Sequence, residues 1–202
     1  MKNKIMLSLT LASLLMLSGC GGKKEEEEKE EPKNAVEALQ SIADKAKEMS
    51  TKEPVDPVDF RKLKELLPEK VGSLTRTEAT GEKTGAMGFT VSTAQARYQN
   101  QGGGTARIEI VDTGGIAGAT TMALAAWSMA DIDKETASGY EKTTTLEGHK
   151  AFEKYDNESK SGELNVLVAD RYIVNVHADQ ISSDEMKDLL KDIDLDKLSE
   201  IK

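Results

Sequence analysis

The sequence predicts an α+β domain, an antiparallel sheet of about six or seven strands with helices packed on it, preceded by a signal peptide, a charged tether and a short helix. Three observations predict it. Between Ser73 and His177, apolar residues recur largely at every second position in short runs bounded by glycine or polar turns, as half-buried strands require. On either side of that region, and once within it, the apolar period lengthens to three or four residues, as in helices. The turns between successive strands are short and polar, which favours antiparallel hairpins over crossovers.

The elements follow in order. Met1 to Lys4 carries two lysines, Ile5 to Leu17 is an apolar run of 13 residues, and Ser18 and Gly19 are small. This is the layout of a secretory signal, and the run is short for a permanent bilayer span. Leu17-Ser18-Gly19-Cys20 resembles the lipobox of bacterial lipoproteins at every position of that motif. The resemblance implies a diacylglyceryl group on the Cys20 thiol, cleavage between Gly19 and Cys20, and often acylation of the new amine. One acyl chain holds a protein reversibly, but each buried methylene adds about 0.8 kcal/mol, so two or three chains hold it durably. Cys20 is the sole cysteine, which excludes an intrachain disulfide and leaves the fold to its core.

Lys23 to Glu31 reads KKEEEEKEE, six glutamates and three lysines, and has no apolar area to offset the entropy of ordering. It is expected to be a solvated tether, and the 12 residues from Gly21 to Pro32 span about 40 Å when extended. Because Gly21 rather than aspartate follows Cys20, the lipoprotein sorting pattern favours the outer membrane, facing the periplasm or the surface. Asn34 caps an expected helix over about 35–49 with Val36, Leu39, Ile42, Ala46 and Met49 on its stripe, and Pro54 and Pro57 stiffen the connection that follows. The chain thus divides into a cleaved signal peptide (1–19), the lipidated cysteine and acidic tether (20–33), a helix and linker (34–54) and one globular α+β domain (55–202).

Within that domain Phe60, Leu63, Leu66 and Leu67 mark a short helix ended by Pro68. Strands are expected at Ser73 to Ala79, Met87 to Gln99, Thr105 to Val111, Gly139 to Glu147, Lys150 to Asp156, Glu163 to Val168 and Arg171 to His177. Tyr172, Val174 and Val176 share one face of the last strand, and Asn175 and His177 the other. Gly114 to Ala130, with Ile116, Ala119, Met122, Ala123, Ala126 and Trp127 on one side, is expected to be a helix against the sheet. The segments Arg97 to Asp112 and Lys154 to Asp170 echo each other as strand, Asn- and Gly-containing loop, strand and closing aspartate. Ser182, with Glu185 three residues on, opens a final helix carrying Met186, Leu189, Leu190 and Ile193. The order of these elements resembles the α/β/α sandwich of PsbP-like and Mog1-like proteins, a likeness that carries no site residues with it.

Charge restricts function. The formal net charge is −9, and removal of the segment before Cys20, with Lys2, Lys4 and no acid, takes it to −11. A chain so acidic, without a basic stripe, repels phosphate backbones, so nucleic acid is not an expected partner. Ile110 to Gly115, IVDTGG, resembles the active-site loop of aspartic proteases. That chemistry needs a second carboxylate sharing a proton, and no second Asp-Thr-Gly exists, so Asp112 or Thr113 is expected instead to cap a turn into the following helix. His149 and His177, the only histidines, are expected at exposed positions and lack the companions of a metal motif. Asp192, Asp194 and Asp196 start like a calcium loop, but Lys197 occupies the place of its glycine, so they read as an acidic helix end. Gly102 to Gly104 precede a strand, not a phosphate-binding helix N-terminus. Met87, Met122, Met129 and Met186 are spaced as core filler.

The sequence therefore predicts an envelope lipoprotein with a non-catalytic binding or assembly domain, and no catalytic, metal or cofactor site is assigned. Its expected partners are the membrane, through lipid on Cys20, and an envelope protein or small ligand. The alternatives are a hydrolase using Asp112 with a partner carboxylate, or a carrier of a metal or small ligand.

Overall fold

A computed structural model describes residues 55–86, 89–114 and 126–201. The signal peptide, Cys20, the tether, the helix expected at 35–49 and most of the Ala-rich segment lie outside the described residues. The described elements are helix α1 (Phe60–Glu65), strands β1 (Lys70–Val71), β2 (Leu74–Ala86), β3 (Phe89–Gln99), β4 (Thr105–Asp112), β5 (Asp133–Glu135), β6 (Gly139–Leu146), β7 (His149–Asp156), β8 (Ser161–Val168) and β9 (Tyr172–Asp179), and helices α2 (Ser183–Lys191) and α3 (Leu195–Glu200). One 3-10 turn, Ala126–Met129, precedes β5.

The strands form one antiparallel sheet in the order β1-β2-β3-β4-β9-β8-β7-β6-β5. It consists of two meanders, β1 to β4 and β5 to β9, joined where β4 pairs with β9. The expectation of six or seven strands is corrected to nine. All seven expected strands are present, and β1 and β5, of 2 and 3 residues, were too short to set up a period. The first long hairpin also runs further than its apolar pattern. β2 continues past Ala79 through Thr80-Gly81-Glu82-Lys83-Thr84, held by backbone pairing to β3 although these side chains do not alternate in polarity.

One face of the sheet carries the main core. Ala94, Ala96 and Tyr98 of β3, Ile108 and Ile110 of β4, Val174 and Val176 of β9 and Leu164 and Val166 of β8 are buried there. Against them lie Leu63 of α1, Met186, Leu189 and Leu190 of α2, and Leu195 and Leu198 of α3. Gly81 lets α1 come close, since a Cβ there would stand 2.5 Å from Cδ2 of Phe60.

The C-terminal helices each begin on a side-chain cap. Ser182 Oγ accepts from the Glu185 N–H at 3.3 Å, and the Glu185 carboxylate accepts from the Ser182 N–H at 2.9 Å, a complete capping box. Asp192 ends α2 and accepts from the Gly72 N–H at 2.7 Å, and Asp194 starts α3 by accepting from the Lys197 N–H at 2.8 Å. Of the acidic triplet, Asp194 thus caps a helix and Asp192 ties one to the sheet edge, while Asp196 lies within the first turn of α3. Replacing Ser182 with alanine should lower stability by about 1 kcal/mol, as loss of an N-cap does, read from the midpoint of urea unfolding at unchanged slope. An unchanged midpoint would show that α2 is held by packing alone.

Candidate functional site: the open face of the sheet

Strand alternation sends every second residue to the face opposite α1, α2 and α3. Across eight strands, directly paired positions on that face read Glu78, Arg97, Arg107, His177, Glu163, Lys154, Glu141 and Lys134, from β2 to β5. Every member of this row is titratable. Arg97 pairs with Glu78 at 3.4 Å, and Glu141 receives Lys154 at 3.0 Å and Lys134 at 3.4 Å. Glu163 accepts from the Asn165 side-chain amide at 2.8 Å. Among the described residues Arg107 has neither an ion-pair partner nor a side-chain hydrogen bond.

The neighbouring row is polar as well, with Gln95, Glu109, Asn175 and Asn165, and Asn175 donates to Glu109 at 3.0 Å. Further along, the face turns apolar. Val111 and Ile173 are buried against Val91 and Leu167, and Trp127 stacks obliquely on Phe152 with ring centroids 6.4 Å apart. Two depressions open at the polar end, on either side of β9, and His177 and Asp179 line both. The larger, about 510 Å³, lies toward β3 and β4 and includes Arg97, Arg107, Gln99 and Thr105. The smaller, about 260 Å³, lies toward β7 and β8 and includes Lys154, Glu163 and Asp156. The Asp156 carboxyl is held down at about 2 by the Ser138 hydroxyl first, and then by the Ser159 N–H and hydroxyl and the Glu158 N–H.

Asp112 is not on this face. It is fully buried at the end of β4, and all its lone pairs are engaged. Oδ1 accepts from the Gly114 N–H at 2.8 Å and Arg171 Nε at 2.8 Å, and Oδ2 accepts from the Val58 N–H at 2.8 Å and Arg171 Nη2 at 2.7 Å. The hydrogen bonds that Arg171 donates to this carboxylate are the leading cause that raises its guanidinium above the usual value. The helix that Asp112 or Thr113 was expected to cap lies outside the described residues. Asp112 does turn the chain locally through Gly114, but it mainly clamps three segments together: the entry at Val58, the end of β4, and the β8–β9 turn. Gly114 has φ +67°, and a Cβ there would meet the Val55 carbonyl oxygen at 2.3 Å, so glycine is what permits the entry segment to approach. Thr113 donates its hydroxyl to the Arg171 carbonyl at 3.0 Å. Ser92, directly opposite Asp112 on β3, is buried with its hydroxyl unpartnered.

A second buried carboxylate escaped the sequence reading. Glu153 of β7 is 1% exposed on the helix-facing side. It accepts from the Tyr140 hydroxyl, and Lys142 and Lys187 stand 3.4 and 3.9 Å from its oxygens. Lys187 belongs to α2, so this group fastens that helix over the β6–β7 hairpin. Burial chiefly, and Glu153 next, raise the Tyr140 hydroxyl above its ordinary range.

Both histidines are half-buried, which corrects their expected exposure. His177 is flanked by Arg107 and Glu163 on adjacent strands, and His149 pairs with Leu146 across the β6–β7 turn. Among the described residues no group of three or more His, Cys, Asp or Glu side chains is placed to hold a metal ion. No described helix is long and apolar enough to cross a membrane. The Gly102 to Gly104 segment is a hairpin loop folded on Asn100, whose side-chain oxygen accepts from the Gly102 and Gly104 N–H groups at 2.9 Å each. The two echoing segments are both hairpins, β3–β4 and β7–β8, but their closing aspartates differ. Asp112 is buried in the clamp, and Asp170 sits at φ +51° in the turn before Arg171. Arg97, Arg107 and Glu163 went unremarked because only the strand register places them side by side. No family model, no curated protein and no solved structure matches this chain.

Proposed function

We propose that this chain is a bacterial envelope lipoprotein, held by lipid on Cys20 at the outer membrane in preference to the inner, whose domain at 55–202 works by binding through the open face of its sheet. The observation that carries the reading is the row of eight titratable side chains from Glu78 to Lys134, on the face that α1, α2 and α3 leave uncovered. A surface of mixed sign with two depressions offers directional polar contacts, which confer specificity on a ligand or partner. A binding role is also supported by the two buried carboxylates. Asp112 is saturated by four donors, and Glu153 is committed to Tyr140, Lys142 and Lys187. The lipobox and the acidic tether after it support the address, with the tether setting the domain off from the bilayer.

Two measurements test this reading. A fatty-acid probe fed to cells should label the wild type and not Cys20→Ser, and a fully labelled variant would remove the anchor. Carbethoxylation followed by mass spectrometry should modify His177 more slowly in intact envelopes than in the purified protein, with His149, on the helix-facing side, reacting equally in both. Equal reactivity of His177 in the two preparations would mean that the open face is unoccupied in its native setting.

A further inference from the structure

We propose that the larger depression binds a compact soluble dianion, of phosphate or dicarboxylate type, gripped between Arg97 and Arg107 with His177 beside them. The inference rests on the binding role of the open face and names the chemistry of its occupant. Arg97 and Arg107 are directly paired on β3 and β4, and His177 is directly paired with Arg107 on β9. Side chains so paired have Cβ atoms about 5 Å apart, and like charges in that relation are destabilising. A fold held together by its own ion pairs would set an acid opposite Arg107. Instead Arg107 has an arginine on one side, an imidazole on the other, and no counter-charge among the described residues. Glu78 balances Arg97 alone, at 3.4 Å.

The concentration of cationic and imidazole groups is local, since the whole chain carries −9. Successive strands lie about 4.8 Å apart, so the three positions span roughly 10 Å, and the long arginine side chains can converge within that span on an anion with two charged ends or one tetrahedral head. Guanidinium groups present paired donors to such oxyanions, and the depression of about 510 Å³ is within the range of small-ligand sites. Asp179 lies in the next row, directly paired with Thr105. Asp179 makes no ion pair with either arginine, and its carboxylate in the lining offers an acceptor to a ligand hydroxyl. An anionic bilayer is the disfavoured source of the charge, because the domain's acidic surface as a whole is repelled from it.

The two histidines make the test. The full chain, purified in non-ionic detergent, is titrated at constant ionic strength with inorganic phosphate, with succinate, and with phosphatidylglycerol vesicles, while the imidazole signals are followed by NMR. The ring signals of His177 should move saturably with phosphate or succinate and stay still with the vesicles, and those of His149 should not move in any arm. Arg107→Gln, an exposed substitution, should weaken the response at least tenfold with unchanged circular dichroism. The proposal is overturned if neither solute moves His177, if His149 moves in parallel, if Arg107→Gln responds like the wild type, or if only the vesicles act. Protection of His177 in intact envelopes without any response to these anions would leave the binding face standing and remove the dianion.

Discussion

Arg171→Met is expected to lower stability by about 3–5 kcal/mol, because it leaves Asp112 charged, fully buried and short of two of its four donors. The loss should appear as a fall in melting temperature of roughly 6–20 °C for a domain of this size. The same bridge acts on three parts of the chain. Arg171 follows Ala169 and Asp170, which sit at φ +52° and +51°, a left-handed turn that carries an intrinsic cost for alanine. The bidentate bridge, together with the Thr113 hydroxyl on the Arg171 carbonyl, offsets that cost by fixing the turn against β4. The Val58 N–H on Oδ2 then brings the entry segment under the same carboxylate. Asp112→Asn combined with Arg171→Met should therefore be less damaging than the sum of the two single changes, since the double variant removes the stranded charge. Ser92→Ala is the control: its hydroxyl already lacks a partner, so stability should hold or rise slightly. Loss of under about 1 kcal/mol in Arg171→Met would show that water reaches Asp112 and that the clamp is dispensable.

Much of this fold was legible in the sequence, and the residues that were missed share a physical cause. β4 and β9 announce themselves because Ile108 and Ile110, and Val174 and Val176, alternate with polar neighbours, so period and burial coincide. The capping box at Ser182 was readable because it is a local hydrogen-bond pattern of fixed spacing. β1, β5 and the outer part of β2 belong to hairpins close in sequence, but their own side chains are too few or too uniformly polar to carry a period, so only the backbone pairing reveals them. The candidate site is of the second kind. Arg97, Arg107, His177 and Glu163 are ordinary polar members of four different strands, and they form a row only once the register is known. Asp112 attracted notice through a short motif, but its partner Arg171 lies 59 residues away. Local sequence reveals which residues leave water, whereas long-range register decides which polar groups meet.

The seam between β4 and β9 is where the other large effect is expected. Ile110→Ala should cost between about 2 and 5 kcal/mol, toward the upper end, and Ile110→Val about 0.5–1.5 kcal/mol. Ile110 is fully buried, with Val174 directly across on β9 and Ala94 directly across on β3. The alanines of β3 leave room for α1, so that flank has no large side chain able to shift into the gap. Among the described residues the two meanders pair within the sheet only along these two strands, and the core nevertheless runs unbroken from Leu63 of α1 through Ile110 and Val174 to Met186 of α2. A contiguous core of that kind couples the halves, so both the wild type and Ile110→Ala should unfold in urea as one transition, the variant at a lower midpoint and equal slope. Two separated transitions in the variant would show instead that β1 to β4 and β5 to β9 fold as independent units, with the seam as a docking interface between them.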